Sequence, residues 1–249
     1  MPFQTIRVSD VGETVTLTLS RPDALNAITA GMLEELYEAL VQLAADSSVR
    51  VVVLTGEGRA FSAGVDLKAL QGRSLSGGAV GDFLDLPARR LIEQIQTMSA
   101  VVIAAVNGFC FTGALEIALA CDLVVAAEEA VFADTHAKFG LRPTWGMSQR
   151  LPDAVGAARG RLLSLTARRF TGRQACEWGL AALAVPLAAL PETVAELANE
   201  IAGNSTGSLA AYKDLFRAHA RHGTAVGVEY EARTQYLIAD TDERLQSFR

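Results

Sequence analysis

Three cysteines and three histidines among 249 residues leave little material for metal or redox chemistry. Cys110, Cys121 and Cys176 lack metal-ligand spacing and lie in apolar or helical stretches, which predicts reduced, mostly buried thiols. His219 and His222 fall in a polar helical segment, so no ligand constellation forms, and neither a metal nor a separate cofactor is expected. No apolar run reaches the length of a bilayer span, and Met1 to Thr5 has no basic or apolar leader pattern. A cytoplasmic protein without a membrane partner is expected.

Nucleotide and hydrolase signatures are missing too. Gly56 and Gly58 follow a strand-like run, but Phe61 stands where a dinucleotide loop needs its third glycine. There is no Gly-Lys-Ser/Thr phosphate loop, and no G-x-S-x-G elbow to expose a serine nucleophile. A net charge of −6 argues against a nucleic-acid partner. Half the residues are apolar and a fifth are charged, composition that excludes a disordered chain and supplies a substantial core.

What is present reads as an α/β chain. Alternating segments Thr5–Val8 and Thr14–Ser20 flank Gly12-Glu13 and predict a hairpin. Met32, Leu33, Leu36, Leu40 and Leu43 recur at helical spacing after a start at Asn26 or Thr29. Strand-like runs Val49–Thr55, Ala100–Val106 and Leu123–Ala126 alternate with helical stretches Pro87–Met98 and Gly113–Ala120, which implies repeated ββα or βαβ units. Asp66-Leu67-Lys68 opens a further helix. Gln71–Gly81, rich in glycine and serine, is either a loop able to cover a ligand or an exposed linker. Beyond Pro186 the pattern is helical, over Pro191–Ala202, Ser208–His222 and Ala225–Ala239, which divides the chain into a core of residues 1–186 and a tail of residues 187–249 able to close over the core or bind another subunit.

Chemistry concentrates at Glu116, a single carboxylate just inside an apolar helix that begins at Thr112-Gly113. The first amides of a helix are unpaired, and side chains lean back toward the N-terminus, so a carboxylate three residues on, roughly 4.5 Å along the axis, returns toward the Gly113 amide. An acid near a helix start also has a purely structural role, worth about 0.3–1 kcal/mol. The apolar surroundings favour function, because burying a carboxylate is costly. His136 shares a strand face with Asp134 at i+2, a spacing that suits an ordinary hydrogen bond as well as catalysis. Trp145 and Trp178 read as core or pocket-wall aromatics.

Three separated segments, Arg21-Pro22-Asp23-Ala24-Leu25-Asn26-Ala27, Phe61-Ser62-Ala63-Gly64-Val65-Asp66-Leu67-Lys68 and Asn107-Gly108-Phe109-Cys110-Phe111-Thr112-Gly113-Ala114-Leu115-Glu116, together resemble the enoyl-CoA hydratase/isomerase (crotonase) family. The resemblance continues through Ala120–Leu123, Phe132-Ala133, Gly140, a helix start at Gln149-Arg150-Leu151, Thr171–Arg173 and Trp178–Leu180. It implies a spiral of ββα units, a C-terminal helical region that forms a homotrimer or a dimer of trimers, and an acyl-CoA substrate whose coenzyme A is part of the thioester. By position, the thioester oxygen would lie between the amides of Val65 and Gly113, where an enolate forms. Ala24, Leu25, Asn26, Ala63, Val65, Asp66, Leu67 and Lys68 would line the coenzyme A path, with Arg21 or Lys68 near its phosphates.

Hydratases of the family use two glutamates to hold and activate water. Glu116 matches the first, His136 occupies the position of the second, and Thr112 replaces a glycine common there. A neutral imidazole can hold the water or return a proton to Cα, which makes hydration of a 2-enoyl-CoA the expected reaction. The rival expectations are double-bond isomerisation, decarboxylation or C–C bond hydrolysis at the same enolate site, or acyl-CoA binding without turnover.

Overall fold

The computed structural model describes residues 3–73 and 75–247. The chain opens with the hairpin β1 (Ile6–Val11) and β2 (Thr14–Leu19), whose register pairs Val11 with Thr14 across Gly12-Glu13. In β2 Val15, Leu17 and Leu19 are buried and the threonines between them are not, the period of a strand with one face on the core. α1 (Ala30–Ala45) starts at Thr29, whose hydroxyl accepts from the Met32 amide at 3.2 Å. Asn26, the other candidate start, is spent elsewhere: its side chain accepts from Arg21 N and donates to Glu57 O and Ala60 O, stapling two turns together.

Three units of one pattern follow. They are β3 (Val51–Gly56), β4 (Ala60–Ser62) and α2 (Asp82–Thr97), then β5 (Val101–Val106), β6 (Phe109–Phe111) and α3 (Gly113–Ala118), then β7 (Leu123–Ala127), β8 (Val131–Ala133) and α4 (Met147–Val155). Of the two repeats the sequence allows, the structure adopts ββα. α5 (Ala157–Thr166), β9 (Phe170–Thr171), α6 (Gly172–Glu177) and β10 (Leu183–Val185) follow. The first strand of each unit joins a six-stranded sheet ordered β1-β2-β3-β5-β7-β10, and the second joins a four-stranded sheet ordered β4-β6-β8-β9. Apart from the β1–β2 and β8–β9 pairs, the strands run parallel. Helices cover the central strands, which is why β3 and β5 read as continuous apolar runs.

Several boundaries differ from the sequence pattern. α2 begins at Asp82 rather than Pro87, because Asp82 and Asp85 suit the positive end of the helix and Pro87 forgoes one hydrogen bond in the second turn. α4 begins at Met147, ahead of Gln149. Leu67–Leu70 forms a 3-10 turn capped by Asp66. The segment of residues 71–81 is pinned in place: Arg142 N donates to Gly78 O, Arg142 Nε donates to Gly77 O, and Val80 is buried. Ser74 of that segment lies outside the described residues.

The C-terminal helices are α7 (Leu190–Ala202), whose Leu190, Val194, Ala198 and Ala202 join the same hydrophobic core as the strands, α8 (Thr206–Arg233) and α9 (Thr241–Ser247). α8 breaks at Gly223 (φ 76°) and folds back on itself, so that Tyr230 and, beyond the helix, Tyr236 each donate to Asp214 at 2.8 Å. The helix expected to reach Ala239 stops at Arg233, where Thr234 turns extended and its hydroxyl donates to Tyr230 O. Lys213 fastens α8 to the core, donating to Ile95 O and Ala100 O and pairing with Asp122 at 2.7 Å. Among the described residues no helix is long and apolar enough to cross a membrane.

Candidate active site

The four-stranded sheet sets the site. In the β6–β8 pair Phe111 lies opposite Ala133, and the pairing runs one step further: Thr112 N donates to Ala133 O at 2.9 Å, Thr135 N donates to Thr112 Oγ1 at 3.2 Å, and the two threonine hydroxyls bond each other. Glu116 then leaves on α3, and His136 leaves just past β8. Thr112 adopts φ +52°, a strained conformation for a β-branched residue, where the chain turns from strand to helix.

Glu116 Oε2 lies 3.6 Å from His136 Nε2. Glu116 Oε1 does not return to its own helix start; it accepts from the amides of Trp145 and Met147, each at 3.0 Å. Burial pushes the carboxyl above the usual glutamate range, and it outweighs the opposing pull of His136 and the two amides. A base of raised pKa binds a proton better than an ordinary carboxylate. On its other side, His136 Nδ1 lies 2.7 Å from Asp134 Oδ1. Burial works to raise the Asp134 pKa as well, but hydrogen bonds from His136 and Ser164 hold it below the usual aspartate range.

Gly113 and Val65 face the same cavity as Glu116 and His136, a space of about 40 Å³ walled by Ala63, Leu67, Thr144 and Trp145 among others. Neither the Val65 nor the Gly113 amide has an acceptor among the described residues. The two turns touch backbone to backbone: a Cβ on Gly64 (φ 85°) would lie 2.6 Å from Phe111 O and 3.5 Å from Gly113 N. The sequence explains Gly113 by close approach of a ligand, and the structure adds a second reason. A Cβ there would lie 2.7 Å from the Trp145 ring. That ring is fixed by its Nε1–H, which donates to the buried Asp85 at 2.8 Å, the same oxygen that accepts from the Thr144 hydroxyl at 2.6 Å.

The other candidate positions divide. Ala63, Val65 and Leu67 wall the cavity. Ala24 and Leu25 form the turn beside it, with Leu25 and Asn26 at positive φ, and Asn26 is buried in the staple described above. Asp66 is paired with Arg21 at 3.1 Å, and Arg21 also donates to Ala27 O. Lys68 is exposed and carries no ion pair among the described residues. Asp85, Thr144 and the amides of Trp145 and Met147 escaped the sequence reading. Asp85 sits 60 residues from its tryptophan, and amides carry no side-chain signal.

The pattern of the family described as "Enoyl-CoA hydratase/isomerase" matches residues 12–249. A probable peroxisomal enoyl-CoA hydratase 1 of Arabidopsis thaliana is 35% identical over 94% of this chain and 87% of its own. A probable enoyl-CoA hydratase of Rhizobium meliloti is 35% identical over 98% of this chain and 93% of its own. The solved structure of an enoyl-CoA hydratase from Bacillus anthracis superposes with a TM-score of 0.90 at 32% identity, covering 98% of this chain and 96% of that one. The mixed α/β architecture with parallel sheets and C-terminal helices is theirs too.

Proposed function

The chain belongs to the enoyl-CoA hydratase/isomerase family and is an enzyme of that class, and from this premise we propose that it adds water across the 2,3 double bond of a 2-enoyl-CoA thioester. One observation carries the reading: two unpartnered amides, Val65 and Gly113, wall the same small cavity as a buried carboxylate and an imidazole. A cavity of about 40 Å³ is large enough for a water molecule beside Glu116 and His136.

The thioester oxygen lies between the two amides. Water oxygen bonds to Cβ, the π pair shifts through Cα to the thioester oxygen as an enolate, and one water proton passes to Glu116 Oε2. Glu116 returns that proton to Cα as the carbonyl reforms, so the product has gained one water and the enzyme is unchanged. Each preorganised amide contributes roughly 10²–10³ in rate, because it stabilises charge that exists only after the attack begins. His136 accepts a hydrogen bond from the second water O–H, whose hydrogen stays on the product hydroxyl, and so aims the oxygen at Cβ. The turn at Ala24–Asn26 and the segment Ala63–Lys68 border the coenzyme A path; Arg21 is engaged with Asp66, which leaves Lys68 to meet the phosphates. The helical region of residues 187–249 assembles a trimer or a dimer of trimers, and sedimentation velocity tests this. A cytoplasmic location belongs to the same proposal and is read by cell fractionation.

Incubation with 2-enoyl-CoA thioesters of short, medium and long chain, followed by mass spectrometry, tests the reaction. Addition of one water to at least one substrate is the expected result. Turnover without water addition would favour isomerisation, since His136 at the second position leaves a single carboxylate able to shuttle a proton between carbons.

A further inference from the structure

Asp134, His136 and Glu116 form a buried chain of groups, with 2%, 7% and 2% of their surfaces exposed. Asp134 stands directly after β8, and its Oδ1 accepts twice from His136: from the backbone N–H at 3.2 Å and at ring Nδ1 at 2.7 Å. An ionised carboxylate only accepts, so the proton in the ring contact belongs to Nδ1. In a neutral imidazole the other nitrogen then carries the lone pair. That nitrogen, Nε2, faces Glu116 Oε2 at 3.6 Å, beyond the reach of a direct hydrogen bond, and both residues border the cavity.

The opposite tautomer would undo the site. An Nε2–H would turn a donor toward the cavity and leave the water without its second acceptor. No other donor or acceptor competes for Nδ1 among the described residues. Among the described residues the remaining charge near the pair is Arg150 of α4, which acts on Glu116 and donates to Trp145 O. From α5, the group facing Asp134 is the neutral Ser164.

We propose that Asp134 is a positioning residue that holds His136 as the Nδ1–H tautomer, so that Nε2 presents its lone pair to the attacking water. An aspartate–histidine pair thereby stands in for a second carboxylate. This deepens the hydratase reading and rests on it. Asp134 has no contact with the cavity, and the carboxylate is needed only to orient the ring.

The decisive measurement is the ¹⁵N spectrum of the histidine rings in the free enzyme, with the His136 signals assigned by their loss in His136→Gln; only His219 and His222 remain. A protonated Nδ1 and a lone-pair Nε2 are expected. In Asp134→Asn, whose amide can donate to Nδ1, and in Asp134→Ala, the lone pair shifts toward Nδ1. kcat should fall roughly 10²-fold or more, as loss of positioned acid–base chemistry does, while KM changes little. A wild-type ring protonated at Nε2, or both variants retaining wild-type kcat, overturns the proposal. Should the variants fail to fold, the wild-type spectrum alone decides it. The spectrum needs no substrate, so an enzyme with the expected tautomer that adds no water refutes the hydratase reading and leaves the tautomer assignment standing.

Discussion

Gly113→Ala is the substitution for which the structure predicts most. The added methyl would sit 2.7 Å from one Trp145 ring carbon and 3.3 and 3.4 Å from two others, so the ring must retreat by roughly 0.7 Å to reach ordinary contact. It has little freedom to do so. Its Nε1–H is bonded to Asp85 and its amide to Glu116. If the ring stays, overpacking costs about 1–3 kcal/mol. If it moves, a buried polar group loses its partner, at about 1–3 kcal/mol. Either route gives a loss near ~2 kcal/mol, which for a chain of this size lowers the apparent Tm by roughly 4–8 °C. Displacing the Trp145 amide also displaces the carboxylate it holds, and misplacement approaching an ångström costs up to ~10²-fold in rate. Scanning calorimetry and initial rates on the same preparation read both effects. Gly31→Ala is the control, because that methyl meets only Thr29 Oγ1 at 3.9 Å on the exposed side of α1 and should stabilise by about 0.5–1 kcal/mol. A Gly113→Ala enzyme with wild-type Tm and wild-type kcat would refute the clamped-ring argument.

Glu116→Gln should lower kcat by roughly 10²–10⁴ while acyl-CoA binding, measured by calorimetry, survives. It should also raise stability at neutral pH. The Glu116 pKa is raised in the folded state, so its contribution to stability is fully present below the unfolded pKa and is lost as pH rises through the folded one; glutamine keeps the acceptor for Trp145 and Met147 without that loss. For the wild type, the same raised value predicts that kcat declines toward acid starting above the ordinary glutamate range, and a pH–rate profile lacking that limb would contradict the role of Glu116 as base. Lys213→Met removes the partner of Asp122 and leaves two carbonyls uncapped between α8 and the core, for a cost of about 3–5 kcal/mol in urea unfolding.

What the sequence shows and what it hides follows from how each feature is encoded. Glu116 stands out because charge inside an apolar helix is locally visible, and α1 because its leucines repeat at helical spacing. The second strands of the ββα units are three residues long, too short for any period to register, so the four-stranded sheet that carries the site escapes pattern reading. Thr29 and Asn26 look equivalent as helix starts until Asn26 is seen holding Glu57 O and Ala60 O. Asp134 was visible beside His136, yet only the 2.7 Å contact and the burial of both separate a positioned pair from an incidental one.

The two donors that hold Glu116 are main-chain amides, from positions 145 and 147. Their presence therefore does not depend on which side chains those positions bear; any residue except proline supplies the same N–H. Substitutions at wall positions other than Trp145, such as Ala63, Leu67 or Phe139, change the shape of the cavity without touching the anchorage of the carboxylate. In a molecule of this design, the shape of the cavity is free to wander over generations while the carboxylate stays where the loop's backbone puts it.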